Sequence, residues 1–149
     1  MLGVLNQKFD LATYLHSDNA ERYGYKEQFQ PSESIINNLE NLHEKIIVKL
    51  LQSKELTGAF ICSSAYRCER LNEAIKGSLT SQHVKGEAID LKYIENGKIE
   101  NMKLYNEIIS TIQNYDQLIK EFGQDINPAW IHISLKKEGN NRKQILRIK

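Results

Sequence analysis

A histidine and an aspartate seven positions apart, His83 and Asp90, are residue types that together could bind a metal ion. On one continuous helix they would be separated by about two turns, roughly 10 Å, which is too far for two ligands of one ion. They can share an ion only if the chain turns between them. Gly86 lies between them and is the residue type that most readily adopts a turn conformation.

His132 is the best candidate for a third ligand. Catalytic zinc sites usually take three protein ligands and leave a fourth position for water. In the predicted strand 88–93, the alternation of side chains places Asp90 on the face opposite the apolar residues. In the predicted strand 129–135, the same alternation places His132 opposite the aliphatic residues. Each strand therefore has one buried apolar face and one ligand on the other. The alternative is that these three residues make ordinary hydrogen bonds and bind no metal.

These residues belong to a longer pattern that resembles the zinc D-Ala-D-Ala carboxypeptidases and their endopeptidase relatives among phage lysins, a family that shares its fold with the hedgehog signalling domain. The resemblance extends from about residue 9 to residue 142. It rests on Ser64-Ala65-Tyr66-Arg67, Leu71-Asn72, Gly77-Ser78, the segment 81–90, and Asp116-Gln117-Leu118-Ile119 ahead of Trp130-Ile131-His132. It implies that His83, Asp90 and His132 bind one Zn²⁺ per chain.

The resemblance implies hydrolysis of amide bonds in cell-wall peptides that contain D-amino acids, with peptidoglycan stem peptides as the partner. The sequence leaves open whether a terminal D-alanine is removed or an internal bond is cut. Arg67 lies between the predicted strand 59–63 and the predicted helix 69–76, where its guanidinium could bind a substrate carboxylate or polarise a carbonyl. The alternative for Arg67 is a structural ion pair. Ser81 and Gln82 are expected to line the same cleft.

The catalytic carboxylate is the point at which the sequence departs from the family pattern. Relatives that place this acid a few residues before the second histidine would have it near Ala129, where no acid is found. If the strand ending at Glu121 pairs antiparallel with the ligand strand, Glu121 comes opposite that strand, within about 5 Å of a directly opposed side chain. Asp125 is the less favoured candidate because turn aspartates commonly bind local backbone. The competing hypothesis is a non-catalytic zinc-binding recognition domain of the same fold, which has kept the ligands and lost the chemistry.

The elements that must position these residues indicate an α+β fold, with a small antiparallel sheet and helices packed on one side. Residues 1–149 suit one domain, in which residues 1–30 form an irregular arm packed on the core. Ser32 is a plausible N-cap for a helix whose apolar stripe runs from residue 35 to residue 51. Asn96-Gly97 predicts a hairpin turn, and Gly77 predicts a left-handed residue at the end of helix 69–76.

The composition argues against several classes of partner. There are 20 Lys and Arg against 19 Asp and Glu, so the net charge of +1 gives no reason to expect nucleic acid or an anionic membrane. No apolar run approaches the ~18 residues of a membrane span, and the first twelve residues lack signal-peptide features. We expect a monomer that is made in the cytoplasm and reaches the cell wall by phage-type release. The alternative is a dipeptidase that acts in the cytoplasm. Cys62 and Cys68 are expected to be reduced and structural.

Overall fold

The computed structural model describes residues 3–149 and has the α+β fold that the sequence predicts. Its strands are β1 (Ala59–Ser64), β2 (Ala88–Glu95), β3 (Lys98–Ile99), β4 (Gln117–Glu121), β5 (Trp130–Ser134) and β6 (Gln144–Ile148). Within residues 3–149 these strands form one sheet in the order β1-β2-β5-β4-β6, and β3 pairs with β2. The sheet therefore has β2 and β5 as neighbours near its centre.

The helices are α1 (Leu11–Leu15), α2 (Asp18–Tyr23), α3 (Glu33–Leu42), α4 (Val48–Leu51), α5 (Glu69–Ala74) and α6 (Asn101–Thr111). Ser32 caps α3, because its hydroxyl accepts a hydrogen bond from the N–H of Ile35. A π-helical turn, His43–Ile47, joins α3 to α4. The helix predicted between residues 35 and 51 is thus one continuous helical segment with a π turn inside it.

The hydrophobic core lies between this helical segment, α6 and one face of the sheet. The buried apolar stripe of the helical segment consists of Leu39, Leu42, Ile46, Ile47 and Leu50. From the sheet, β2 contributes Ile89, Leu91 and Tyr93, and β5 contributes Ile131 and Ile133. Because side chains alternate along a strand, the residues between these apolar ones leave the opposite face of the sheet. Asp90 and His132 are on that opposite face.

The hairpin predicted at Asn96-Gly97 is confirmed, because β2 and β3 pair across it and both turn residues have positive φ, 51° and 74°. The sequence predicts that Gly77 adopts the left-handed conformation after α5, and this prediction is wrong by one position. Lys76, and not Gly77, has the positive φ of 60°.

The last strand makes the sheet mixed, whereas the sequence predicts antiparallel pairing throughout. β4 pairs antiparallel with β5 and parallel with β6. The reason lies at the start of β4, where Asp116 binds the Arg142 side chain and its carbonyl oxygen accepts from the N–H of Gln144 at 2.9 Å. This contact brings the beginning of β6 beside the beginning of β4, so the two strands run in the same direction.

The amino-terminal arm contains short helical turns that the sequence analysis expects to be irregular. Asp10 caps α1 and Ser17 caps α2, and a 3-10 turn, Lys26–Phe29, follows. Helices this short have no detectable period of 3.6 residues, so local capping is their main sequence signal. Tyr14 is 1 % exposed, and its side chain packs into the core as expected for this arm. Among residues 3–149, no helix is both long and apolar enough to cross a membrane.

Candidate metal centre

His83 is delivered by a tight turn that ends where β2 begins. It lies in a 3-10 helix, Gln82–Lys85. Ser81 caps this helix, because its hydroxyl accepts a hydrogen bond from the N–H of His83. Gly86 ends this helix with a φ of +73°, and a Cβ there would lie 2.9 Å from the carbonyl oxygen of Ile35. The turn therefore needs glycine both for its backbone conformation and for its packing against α3. The sequence-based prediction of a turn at Gly86 is confirmed.

The three predicted ligands converge on one point. Oδ1 of Asp90 lies 3.3 Å from Nε2 of His83 and 3.0 Å from Nδ1 of His132. The three ligand atoms all lie within 4.8 Å of one another, and the three residues are buried. Asp90 and His132 face each other directly across the β2–β5 pairing, and His83 approaches from the preceding turn.

This arrangement fits a zinc ion in donor chemistry and in spacing. Zinc binds imidazole nitrogen and carboxylate oxygen at about 2.0–2.2 Å, which places neighbouring ligands of a tetrahedral site about 3.4 Å apart. The two distances from Asp90 are close to that value. Nδ1 of His83 donates a hydrogen bond to the carbonyl oxygen of Ala65 at 2.7 Å, so in the neutral ring the lone pair of Nε2 is available to a metal ion.

The charge of Asp90 is maintained in spite of its burial. Burial alone would raise the pKa of this carboxyl, but the interaction with His83 and the hydrogen bond from His132 hold the pKa of Asp90 well below its usual range. Buried charges in proteins are paired or coordinate metals, and a carboxylate between two imidazoles offers one oxygen and two nitrogen donors to a divalent cation.

A cleft of about 820 Å³ opens beside Asp90. Its walls come from residues 16–22 of the arm, the end of β1, the loop with Arg67, and α5, and Trp130 also lines it. Burial lowers the pKa of Arg67, and the nearby carboxylates of Asp90 and Glu121 act in the opposite direction. The guanidinium is therefore partly buried and lies within the electrostatic field of the candidate metal centre.

Arg67 is held by residues to which the sequence analysis assigned no role. Its Nη1 donates to Oδ1 of Asn72 at 2.8 Å, and a Cβ on Gly77 would lie 2.1 Å from the same oxygen and 2.9 Å from Nη1. Gln28, which is fully buried, donates to the carbonyl of Tyr66 at 2.9 Å and accepts from the N–H of Cys68 at 2.8 Å. It therefore binds the backbone on both sides of Arg67. Asn72 and Gly77 were part of the family pattern, whereas Gln28 carried no sequence signal.

Glu121 lies on the ligand face of the sheet but not directly opposite His132. Its register partner is Trp130, and Ile119 faces His132, so Glu121 and His132 are diagonal neighbours. Nε1 of Trp130 donates to Oε2 of Glu121 at 2.6 Å. Burial, and then the charge of Asp90, raise the pKa of Glu121, while His132 and the indole hydrogen bond oppose that change.

The remaining predicted residues are not part of the group that converges on Asp90. Asp125 is exposed and its Oδ1 accepts from Nε of Arg147 at 2.8 Å, and this contact lowers the pKa of Asp125. Ser81 and Gln82 are partly buried beside His83, and the residues that line the cleft do not include them. Cys62 and Cys68 are buried free thiols, and burial raises the pKa of Cys62.

The comparison with protein families gives one match that covers most of the chain. A family model described as Peptidase M15 matches residues 21–134. This span contains all three candidate ligands together with Arg67 and Glu121. No curated protein matches the chain significantly.

Proposed function

Because this chain belongs to the peptidase M15 family, the zinc D-Ala-D-Ala carboxypeptidase family, we propose that it hydrolyses amide bonds next to D-amino acids in peptidoglycan stem peptides. The observation that carries the proposal is the convergence of two imidazole nitrogens on Oδ1 of Asp90, at 3.3 and 3.0 Å, beside an open cleft. His83, Asp90 and His132 are the proposed zinc ligands. Bound zinc supplies a Lewis acid that polarises the scissile carbonyl and activates water.

Glu121 is the proposed general base and acid. It takes a proton from the attacking water and returns it to the leaving amine. Its Oε2 accepts from the Trp130 indole at 2.6 Å, so the carboxylate is oriented and Oε1 is left for proton transfer. A pKa raised by burial suits this role, because a base with a higher pKa binds the proton more strongly.

Arg67 is the proposed substrate anchor. Its planar guanidinium can bind a carboxylate with two parallel hydrogen bonds or donate to the carbonyl that is being cleaved. One nitrogen is engaged by Asn72, which orients the group and leaves its other N–H donors for the substrate. Ser81 and Gln82 would contact the substrate only at the margin of the site, next to His83.

Digestion of purified peptidoglycan tests this function. We expect the zinc-loaded protein to release soluble peptides, and mass spectrometry of the new ends identifies the bond that is cut. Free D-alanine as the product indicates a carboxypeptidase, and new internal ends indicate an endopeptidase. Absence of any product, with zinc bound, would instead support a non-catalytic zinc-binding recognition domain.

A further inference from the structure

The cleft beside Asp90 carries more positive than negative charge. Arg22, Arg67 and Lys92 are among its lining residues. Of the two aspartates of the lining, Asp90 belongs to the candidate metal centre, and Asp18 is exposed and lies 3.3 Å from a nitrogen of His16. The three cationic side chains of the cleft therefore outnumber its two acidic side chains, which favours an anionic ligand.

Lys92 is placed close to the reaction centre. It follows Asp90 by two residues on β2, so both side chains leave the same face of the strand. The Cα atoms of two such residues are about 7 Å apart. Lys92 is partly buried, and within residues 3–149 its ammonium has no carboxylate within 4.0 Å. A bound anion would give this unpaired cation a partner.

Arg22 adds a second cation at the rim of the same cleft. It is exposed on α2, and its Nη2 donates to Oδ1 of Asn19, another lining residue. The arm thus contributes a guanidinium to the lining of the cleft. Lys92 and Arg22 come from separate elements, and both line the cleft that Asp90 borders.

We propose that Lys92, assisted by Arg22, binds a free carboxylate of the substrate that is distinct from the group bound by Arg67. Because Asp90 and Lys92 are neighbours on one face of β2, this carboxylate belongs to a residue close in sequence to the scissile amide. The inference rests on the proposed function, because the scissile amide is assumed to lie at the candidate metal centre. The substrate class is then a stem peptide with a free, non-amidated carboxyl group near the bond that is cut.

Matched peptides that carry either a carboxylate or a carboxamide at this position test the subsite. Affinities are measured by calorimetry with zinc-loaded Glu121→Gln protein, and kcat/KM with the protein that retains Glu121. We expect the carboxylate peptide to bind about tenfold more tightly, as is typical of a hydrogen bond to a charged group. Lys92→Gln should reduce the ratio of the affinities for the carboxylate and carboxamide peptides to near one, and Arg22→Gln should reduce this ratio partly. Lys98→Gln, at an exposed lysine of β3 outside the cleft, should retain it.

Equal affinity for the two peptides, or an unchanged preference in Lys92→Gln, overturns the subsite. The outcomes separate this inference from the proposed function. A carboxylate preference that depends on Lys92, without cleavage of either peptide, supports the subsite and contradicts hydrolysis. Equal cleavage of both peptides supports hydrolysis and contradicts the subsite.

Discussion

Asp90 and His132 lie directly opposite each other on two antiparallel strands, with Oδ1 of one 3.0 Å from Nδ1 of the other. The backbone hydrogen bonds of β2 and β5 therefore set the separation of these two proposed ligands. His83 completes the group from a turn whose geometry depends on Gly86. A site built on paired strands near the middle of a sheet is held more precisely than one built on loops.

Replacement of Glu121 by glutamine should abolish cleavage while zinc stays bound. The amide keeps the shape of the side chain and can still accept a hydrogen bond from Trp130, but it cannot take a proton from water. Loss of general acid–base catalysis typically costs about 10²- to 10⁴-fold in rate. The measurement is kcat on a stem peptide, together with zinc content by elemental analysis.

Asp125→Asn is the matched control for that experiment, because Asp125 is exposed and paired with Arg147. We expect its activity to change by less than about twofold, since surface substitutions away from a site have small effects. Full activity of Glu121→Gln with loss of activity in Asp125→Asn would assign the catalytic role to Asp125 instead.

Arg67→Lys should impair turnover far more than folding. A lysine ammonium is a point charge and cannot replace the two-pronged guanidinium, so we expect kcat/KM to fall by about tenfold or more. The free energy of unfolding should change by less than about 1 kcal/mol. Arg70→Lys is the control, because Arg70 pairs with Glu27 on the surface at 2.7 Å. Equal loss of stability and activity in Arg67→Lys would mean that Arg67 is structural.

Trp130→Phe should move the acidic limb of the pH–rate profile to higher pH. Glu121 must be ionised to accept a proton, so activity falls as the pH falls through its pKa. The indole N–H stabilises the ionised form, and its removal raises the pKa of Glu121 further above the ordinary glutamate value. The measurement is kcat/KM against pH for both proteins. An acidic limb that stays in place or moves to lower pH would contradict the assignment of Glu121.

The convergence of His83, Asp90 and His132 could be predicted from the sequence because each of their elements has a simple signal. Alternation with a period of two identifies which face of a strand carries Asp90 or His132, and one glycine identifies the turn after His83. The contacts that hold Arg67 could not be predicted in the same way. Gln28 is separated from Cys68 by 40 positions, and no local pattern connects them.

The direction of β6 also could not be predicted from the sequence. It depends on the contact between Asp116 and Arg142, which are 26 positions apart. In the sequence, Asp116 is recognisable only as part of a family motif. The structure shows that this residue anchors the tail to the sheet, so at least one residue of the motif has an architectural role.

Asp116→Asn should therefore destabilise the fold at neutral pH. Hydrogen bonds from Arg142 lower the pKa of the buried Asp116 to about 2. Because the folded pKa lies below the unfolded value of about 3.9, the stabilisation is fully present above that value and is lost as the pH falls through about 2. The difference corresponds to roughly 2 to 3 kcal/mol at pH 7.

Urea unfolding at pH 7 and at low pH, with a chelator present throughout, measures this effect without a contribution from metal release. The difference in the free energy of unfolding between Asp116→Asn and the protein that retains Asp116 should decrease as the pH falls toward 2. If this difference in free energy is absent at pH 7, or increases in acid, Asp116 does not stabilise the tail through its charge.

The zinc content of the purified protein and its ligand variants tests the central claim most directly. We expect about one zinc per chain, because the three buried donors leave the fourth position of a tetrahedral site to water or substrate. His83→Ala, Asp90→Ala and His132→Ala should each bind little or no zinc while circular dichroism shows a retained fold, and Asp125→Ala should bind as much as the unmodified protein. Unchanged zinc content in all three ligand variants would contradict the assignment of the metal centre.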